Sequence, residues 1–234
     1  MSSLDSIQIA DRTITLFLLV DTSGSIQGNK IASVNDAIRN MLPILRDISE
    51  KTSEIKINIA ALEFASDYHW MYSQPQSIND FQWLNIRADG WTALGKACLE
   101  LNAKLSTNGF MATSPDRHTP IIILLSDGAP SDNFNNSIAI LKRNPWFNNA
   151  IRIAIAIGND ANYDVLNEFT GTQEAIYEVY NTETLKSVIS IATITATQFG
   201  SQSISTDKSN IQEQVVKNIN QKLNNIHTSD TEDW

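Results

Sequence analysis

Apolar and polar residues fall in blocks along this chain, and the blocks change period. Ile14-Thr15-Leu16-Phe17-Leu18-Leu19-Val20 is almost unbroken apolar sequence and predicts a buried strand ending at Asp21. Ile31, Val34, Ile38, Met41, Leu42, Leu45 and Ile48 then recur at helical spacing. Pro43 within that stripe lacks a backbone donor and predicts a kinked or divided helix. Ile55, Ile57, Ile59 and Ala61 alternate as a second strand, with Tyr68 to Tyr72 pairing beside it after a turn at Ser66-Asp67. Leu94, Ala97, Cys98, Leu101 and Leu105 line one helical face, which ends near Asn108-Gly109. Ile121 to Leu125 and Ile151 to Ile157 are continuous apolar runs, as expected of parallel strands covered on both faces. A helix near Ser137 to Leu141 joins them. A short helix at Val165 to Phe169, a strand at Ile176 to Tyr180 and a helix from about Leu185 to Gln198, capped by Thr182, complete the series. This alternation predicts an α/β fold: a doubly wound, mostly parallel sheet with helices on both faces.

The pattern divides the chain into an N-terminal extension (1–11), one α/β domain (12–198) and a tail (199–234). Ser201 to Ser209 is polar and reads as a linker, and Thr228 to Trp234 as an acidic end. Between them Val216, Ile219, Leu223 and Ile226 recur every three or four residues as an amphipathic helix. That stripe either docks back on the domain, the commoner outcome, or lies in a partner's groove.

Composition narrows the function. The 234 residues carry a formal charge of −9, which argues against nucleic-acid and anionic-membrane partners. No apolar run approaches the roughly 20 residues that span a bilayer, and the first residues lack the character of a secretory signal. Cys98, the only cysteine, excludes an intrachain disulfide. These features point to a cytoplasmic setting.

The candidate chemistry lies just after the first strand, in Asp21-Thr22-Ser23-Gly24-Ser25. Ligands of open α/β sheets bind at such strand ends. One carboxylate with two hydroxyls is a hard-oxygen set suited to Mg²⁺, Mn²⁺ or Ca²⁺. The pattern Asp-x-Ser-x-Ser resembles the metal-ion-dependent adhesion site of von Willebrand factor A domains. Gly90-Trp91-Thr92-Ala93-Leu94-Gly95 looks like that family's second element, and Ser126-Asp127-Gly128 its third. Gly28 and Lys30 fit the continuation of the first loop. The resemblance covers roughly residues 12–198, and the intracellular bacterial group typified by the tellurite-resistance protein TerY looks most similar. It implies a site of Asp21, Ser23, Ser25, Thr92 and Asp127 for a divalent cation, Mg²⁺ first, with Trp91, Gly24 and Gly128 on its rim. Trp91 departs from the family's usual Gly. The resemblance further implies a non-enzymatic interaction module, in which a partner protein's carboxylate completes the metal shell in a bacterial stress-response or defence complex. Kinases, phosphatases or other effectors are the expected partners.

Other motifs compete less well. Gly90 to Lys96 matches seven positions of a phosphate-binding P-loop, but Ala97 stands where the Mg²⁺-binding hydroxyl belongs. Ser23 or Ser25 as nucleophile would need a base, and neither His69 nor His118 has a supporting motif. Cys98 on an apolar helical face reads as a small hydrophobe. A metal-dependent phosphohydrolase using the same loops is the alternative function.

Overall fold

The computed structural model describes residues 12–51, 55–111, 120–158, 161–200 and 211–229. In chain order, β1 (Arg12–Asp21) leads through a short 3-10 turn (Gly24–Ile26) into α1 (Asn29–Lys51), followed by β2 (Ile55–Phe64), β3 (Tyr68–Trp70) and β4 (Gln76–Ser77). Next come α2 (Leu94–Lys104), β5 (Ile121–Ser126), α3 (Phe134–Leu141), α4 (Pro145–Asn148) and β6 (Ile151–Ile157). The series ends with α5 (Tyr163–Thr170), β7 (Ile176–Val179), α6 (Thr182–Gly200) and α7 (Ile211–Ser229).

The strands form one sheet in the order β3-β2-β1-β5-β6-β7, with β4 pairing β2. β2, β1, β5, β6 and β7 run parallel, and β3 and β4 pair antiparallel with β2. From β1 the chain builds outward to one side through β2, then returns to β5 and builds to the other side. The β1/β5 boundary is therefore the topological switch point, where open sheets of this class bind ligands.

The unbroken apolar run of β1 follows from cover on both faces. Leu16, Leu18 and Val20 join a core with α1, α6 and α7, including Val34, Ile38, Met41, Ile189, Ala192, Val215 and Ile219. Phe17 and Leu19 join a second core with α2, α3, α4 and α5, including Leu94, Cys98, Ile138, Phe147 and Phe169. Cys98 is fully buried and burial pushes its thiol pKa up, in keeping with an inert hydrophobe.

Local expectations shift at several points. α1 runs unbroken through Pro43, not divided there. Pro43 lies on the exposed side while Met41, Leu42 and Leu45 are buried, and packing of that face outweighs one lost bond. α6 is capped by Asn181, whose Oδ1 accepts from Thr184 N at 2.8 Å, not by Thr182. Thr182 is already helical, and its hydroxyl pairs with Ser33 of α1 at 2.6 Å. α4, capped by Asn144 and opened by Pro145, is too short to show a period.

The tail helix packs on the domain. Val215, Val216 and Ile219 are buried, and Ile211 and Leu223 are partly buried against the same core. The stripe at Val216, Ile219 and Leu223 therefore faces inward, the docked one of its two readings. The side chain of Ile226 and the linker at Ser201 to Ser209 lie outside the described residues. Gln212 fastens the helix: its Oε1 accepts from Arg152 N at 2.9 Å and its Nε2 donates to Arg152 O at 2.7 Å. β7 pairs β6 only from Ala154 onward, so the Gln212 amide stands in for a neighbouring strand at Arg152.

Candidate metal centre

Three loops meet at the C-terminal edge of the parallel strands. Asp21 ends β1 and is fully buried. Its Oδ1 accepts from Ser23 N at 2.8 Å, and its Oδ2 accepts from Ser126 Oγ at 2.6 Å. Ser126 ends β5, one step beyond the paired residues Val20 and Leu125, so this bond joins the first and third loops directly. Ser23 Oγ and Ser25 Oγ lie 3.0 Å apart. Ser23 is buried and Ser25 exposed, which opens the hydroxyl pair toward solvent. Lys30 Nζ donates to Ser25 O at 3.2 Å.

Backbone bonds knit the second loop to both others. Gly24 N donates to Gly90 O at 2.9 Å, and Asp89 N to Thr22 O at 2.8 Å. Ser131 donates to Thr92 O through its N–H at 2.8 Å and its hydroxyl at 3.1 Å. Thr92 is buried between these attachments. Asp127 is 2% exposed; its carbonyl accepts from Asn162 N at 2.7 Å, fixing the third loop to the start of α5.

The electrostatics favour a cation. Burial raises the Asp21 pKa; its bonds from Ser126 and Ser23 oppose that, and the charge of Asp127 adds to it. Among the described residues neither carboxylate has an ion-pair partner. Those residues also hold no group of three or more His, Cys, Asp or Glu suited to a metal. What the edge brings together is instead two carboxylates with the hydroxyls of Ser23 and Ser25, and Thr92 buried on the adjoining loop, oxygen donors that fit Mg²⁺ better than zinc.

A sequence model of the von Willebrand factor type A domain matches residues 15–191. The chain belongs to that family. Several solved structures share its fold. The pilus adhesin SpaC from Lactobacillus rhamnosus GG, in its open conformation, superposes at a TM-score of 0.59 with 14% identity, over 89% of this chain and 30% of the adhesin. The ArnB paralog VWA2 from Sulfolobus acidocaldarius gives 0.57 and 20%, over 77% of this chain and 45% of the paralog. Proximal thread matrix protein 1 from the mussel byssus, with a zinc-occupied MIDAS motif, gives 0.54 and 16%, over 77% and 44%. The chain thus spans less than half the length of each. No curated protein matches at a significant level.

In this von Willebrand factor type A domain the rim differs from expectation at Gly128. That residue is buried, with a φ of +68°, and a Cβ there would meet Leu166 Cγ at 2.9 Å and Asn162 O at 3.0 Å. It lets α5 close on the third loop and presents no side to a partner. Gly24 is half-buried and occupied by its bond to Gly90, while Trp91 is exposed.

Sequence reasoning missed Ser126 and Asp132. Ser126 was legible only as the neighbour of Asp127, because its bond to Asp21 depends on strand order. Asp132 accepts from Gly95 N at 2.9 Å and Lys96 N at 2.8 Å, capping α2 from the third loop. A Cβ on Gly95 would lie 2.8 Å from Asp132 Oδ2, so glycine is needed for that approach. This carboxylate occupies the place a P-loop would give to phosphate, a structural reason for the P-loop motif to fail. Asp132→Ala should lower stability by about 1–2 kcal/mol, the usual worth of a helix cap. A thermal melt should fall by roughly 2–8 °C for a chain of this size; an unchanged melt would show that the cap contributes nothing.

Proposed function

We propose that the chain is a metal-dependent protein-interaction module, in which Asp21, Ser23, Ser25, Thr92 and Asp127 hold one divalent cation and a partner protein supplies a carboxylate. The observation that carries this reading is a pair of buried carboxylates, Asp21 and Asp127, with no counter-ion among the described residues. A buried charge without a partner is costly, so such a pair is retained where a cation compensates it. The bound ion would supply an electrophilic coordination position for an outside oxygen. The chain's own part is to keep the donors in place: Ser126 and Ser23 hold Asp21, and the cross-linked loops hold Thr92 and Asp127. The zinc in the byssus protein's MIDAS motif supports a divalent ion at this edge of the fold. An all-oxygen donor set favours Mg²⁺ here, with Mn²⁺ or Ca²⁺ as the next fits.

The setting is part of the proposal. A cytoplasmic, bacterial stress-response or defence complex, with a kinase, phosphatase or other effector as partner, rests on the likeness to the tellurite-resistance group. Structural neighbours such as a pilus adhesin and a byssus matrix protein do not select that setting. Among the described residues no helix is long and apolar enough to cross a membrane.

A phosphohydrolase on the same loops would need a base beside a nucleophile. His69 lies on β3 opposite Glu63 of β2, in strand pairing rather than on the three loops. Calorimetric titration with Mg²⁺, run beside a phosphate-release assay on p-nitrophenyl phosphate, separates the two functions. Saturable binding without phosphate release supports the interaction module. Mg²⁺-dependent release that Asp21→Asn abolishes would overturn it in favour of the hydrolase.

A further inference from the structure

Trp91 is 74% exposed, far beyond what an indole gains from water, and it directly precedes the ligand candidate Thr92. Its presentation is fixed. Trp91 N donates to Ser66 Oγ at 3.0 Å, Ala93 N donates to Ala65 O at 2.6 Å, and Gly90 before it is held in the left-handed region at φ +84°. A Cβ at residue 90 would meet Ser66 Oγ at 2.6 Å, so the tight seat of this loop on the β2–β3 turn depends on glycine. A rigid, exposed aromatic beside a recognition centre has the character of an interface anchor, since little entropy is lost when a partner covers it.

We infer that Trp91 selects partner segments in which the metal-binding Asp or Glu is flanked by a large apolar side chain. This rests on the metal-and-carboxylate reading above and names the partner's chemistry. Local charge decides between an apolar and a cationic neighbour. Lys96 Nζ already donates to Ser66 O at 3.0 Å and lies 3.6 Å from Asp67, so the acid nearest this turn has its cation. Asp89 accepts from Gly90 N at 2.8 Å. Lys30 in the first turn of α1 and Arg87 on the loop before Gly90 add positive charge, and a bound divalent ion offsets Asp21 and Asp127. With the ion's charge offset by Asp21 and Asp127 and Asp67 paired with Lys96, a cationic side chain beside the carboxylate would find, among the described residues, only Asp89 at this edge, while the chain's overall −9 is screened beyond about 8 Å at physiological salt. An apolar side chain displaces water from the 74% exposed indole and needs no acid at this edge.

Selection of a displayed random-peptide library on the immobilised full chain, in Mg²⁺ and in EDTA, tests this. Mg²⁺-dependent clones should carry Asp or Glu with Phe, Leu, Ile or Trp within a few residues. Trp91→Ala should lower their capture about tenfold or more, the effect of removing an interface anchor, and Trp91→Phe should retain most of it. Enrichment of Arg or Lys instead, or equal capture by Trp91→Ala, overturns the inference and leaves the metal reading standing. Absence of any Mg²⁺-dependent acidic clone overturns both.

Discussion

Asp21→Asn should abolish the response to Mg²⁺ while the metal-free chain stays folded. A ligand that binds only the native state at a hundred times its dissociation constant stabilises by about 2.7 kcal/mol. For a chain of this size that is a rise of roughly 5–10 °C in melting temperature, and the variant should show none of it. Asn keeps the volume and an acceptor for Ser23 N while removing a buried charge whose pKa burial has raised. Without metal the variant should therefore melt at or above the wild-type temperature, as expected where function holds a destabilising charge in place. A variant that kept the full Mg²⁺ shift would place the ion elsewhere. One that failed to fold would show that Asp21 serves the fold first.

Truncation after Gly200 should be close to lethal for folding. Val215, Val216 and Ile219 are each at least nine-tenths buried, Val215 and Ile219 against the α1–α6 side of the sheet. Burial of such side chains stabilises by about 1.5–3 kcal/mol each, so removing all three costs roughly 5–9 kcal/mol. Domain stabilities of about 5–15 kcal/mol leave little after that loss. The backbone of Arg152 also loses the Gln212 amide. Circular dichroism of the truncated chain should show a broad or absent melt. A cooperative melt within a few degrees of the full chain would mean that α7 is a passive extension. A truncated chain that folds and takes up Mg²⁺ but loses a partner would return the stripe to a binding role.

Most of the fold was legible because its strands are buried on both faces. A run such as Ile14 to Val20 or Ile121 to Leu125 has one physical explanation, and the helices between such runs fix the parallel direction. Pairing partners were less legible. That β1 lies between β2 and β5 is a tertiary fact, so the bond from Ser126 to Asp21 had no local signal. Asp132 was hidden for the same reason: it caps a helix that begins 38 residues earlier in the chain than itself, counting from Leu94 to Asp132. The five candidate ligands rest on their order along the chain and on the family resemblance; Asp21 and Asp127 stand at neighbouring strand ends, while Thr92 lies on the loop before α2. Gly128 was misread because a glycine beside a site can serve either ligand access or helix packing, and only the position of Leu166 decides between them. The tail was ambiguous because an amphipathic stripe specifies a buried face without specifying whose surface buries it.

Crystals of the full chain grown in Mn²⁺ and measured at the manganese edge would locate the ion directly. The expected result is one dominant anomalous peak at the C-terminal edge of β1 and β5, surrounded by oxygens of Asp21, Ser23, Ser25, Thr92 and Asp127, some of them through water. A dominant peak away from those residues, or no peak in crystals whose chain binds Mn²⁺ in solution, would contradict the site.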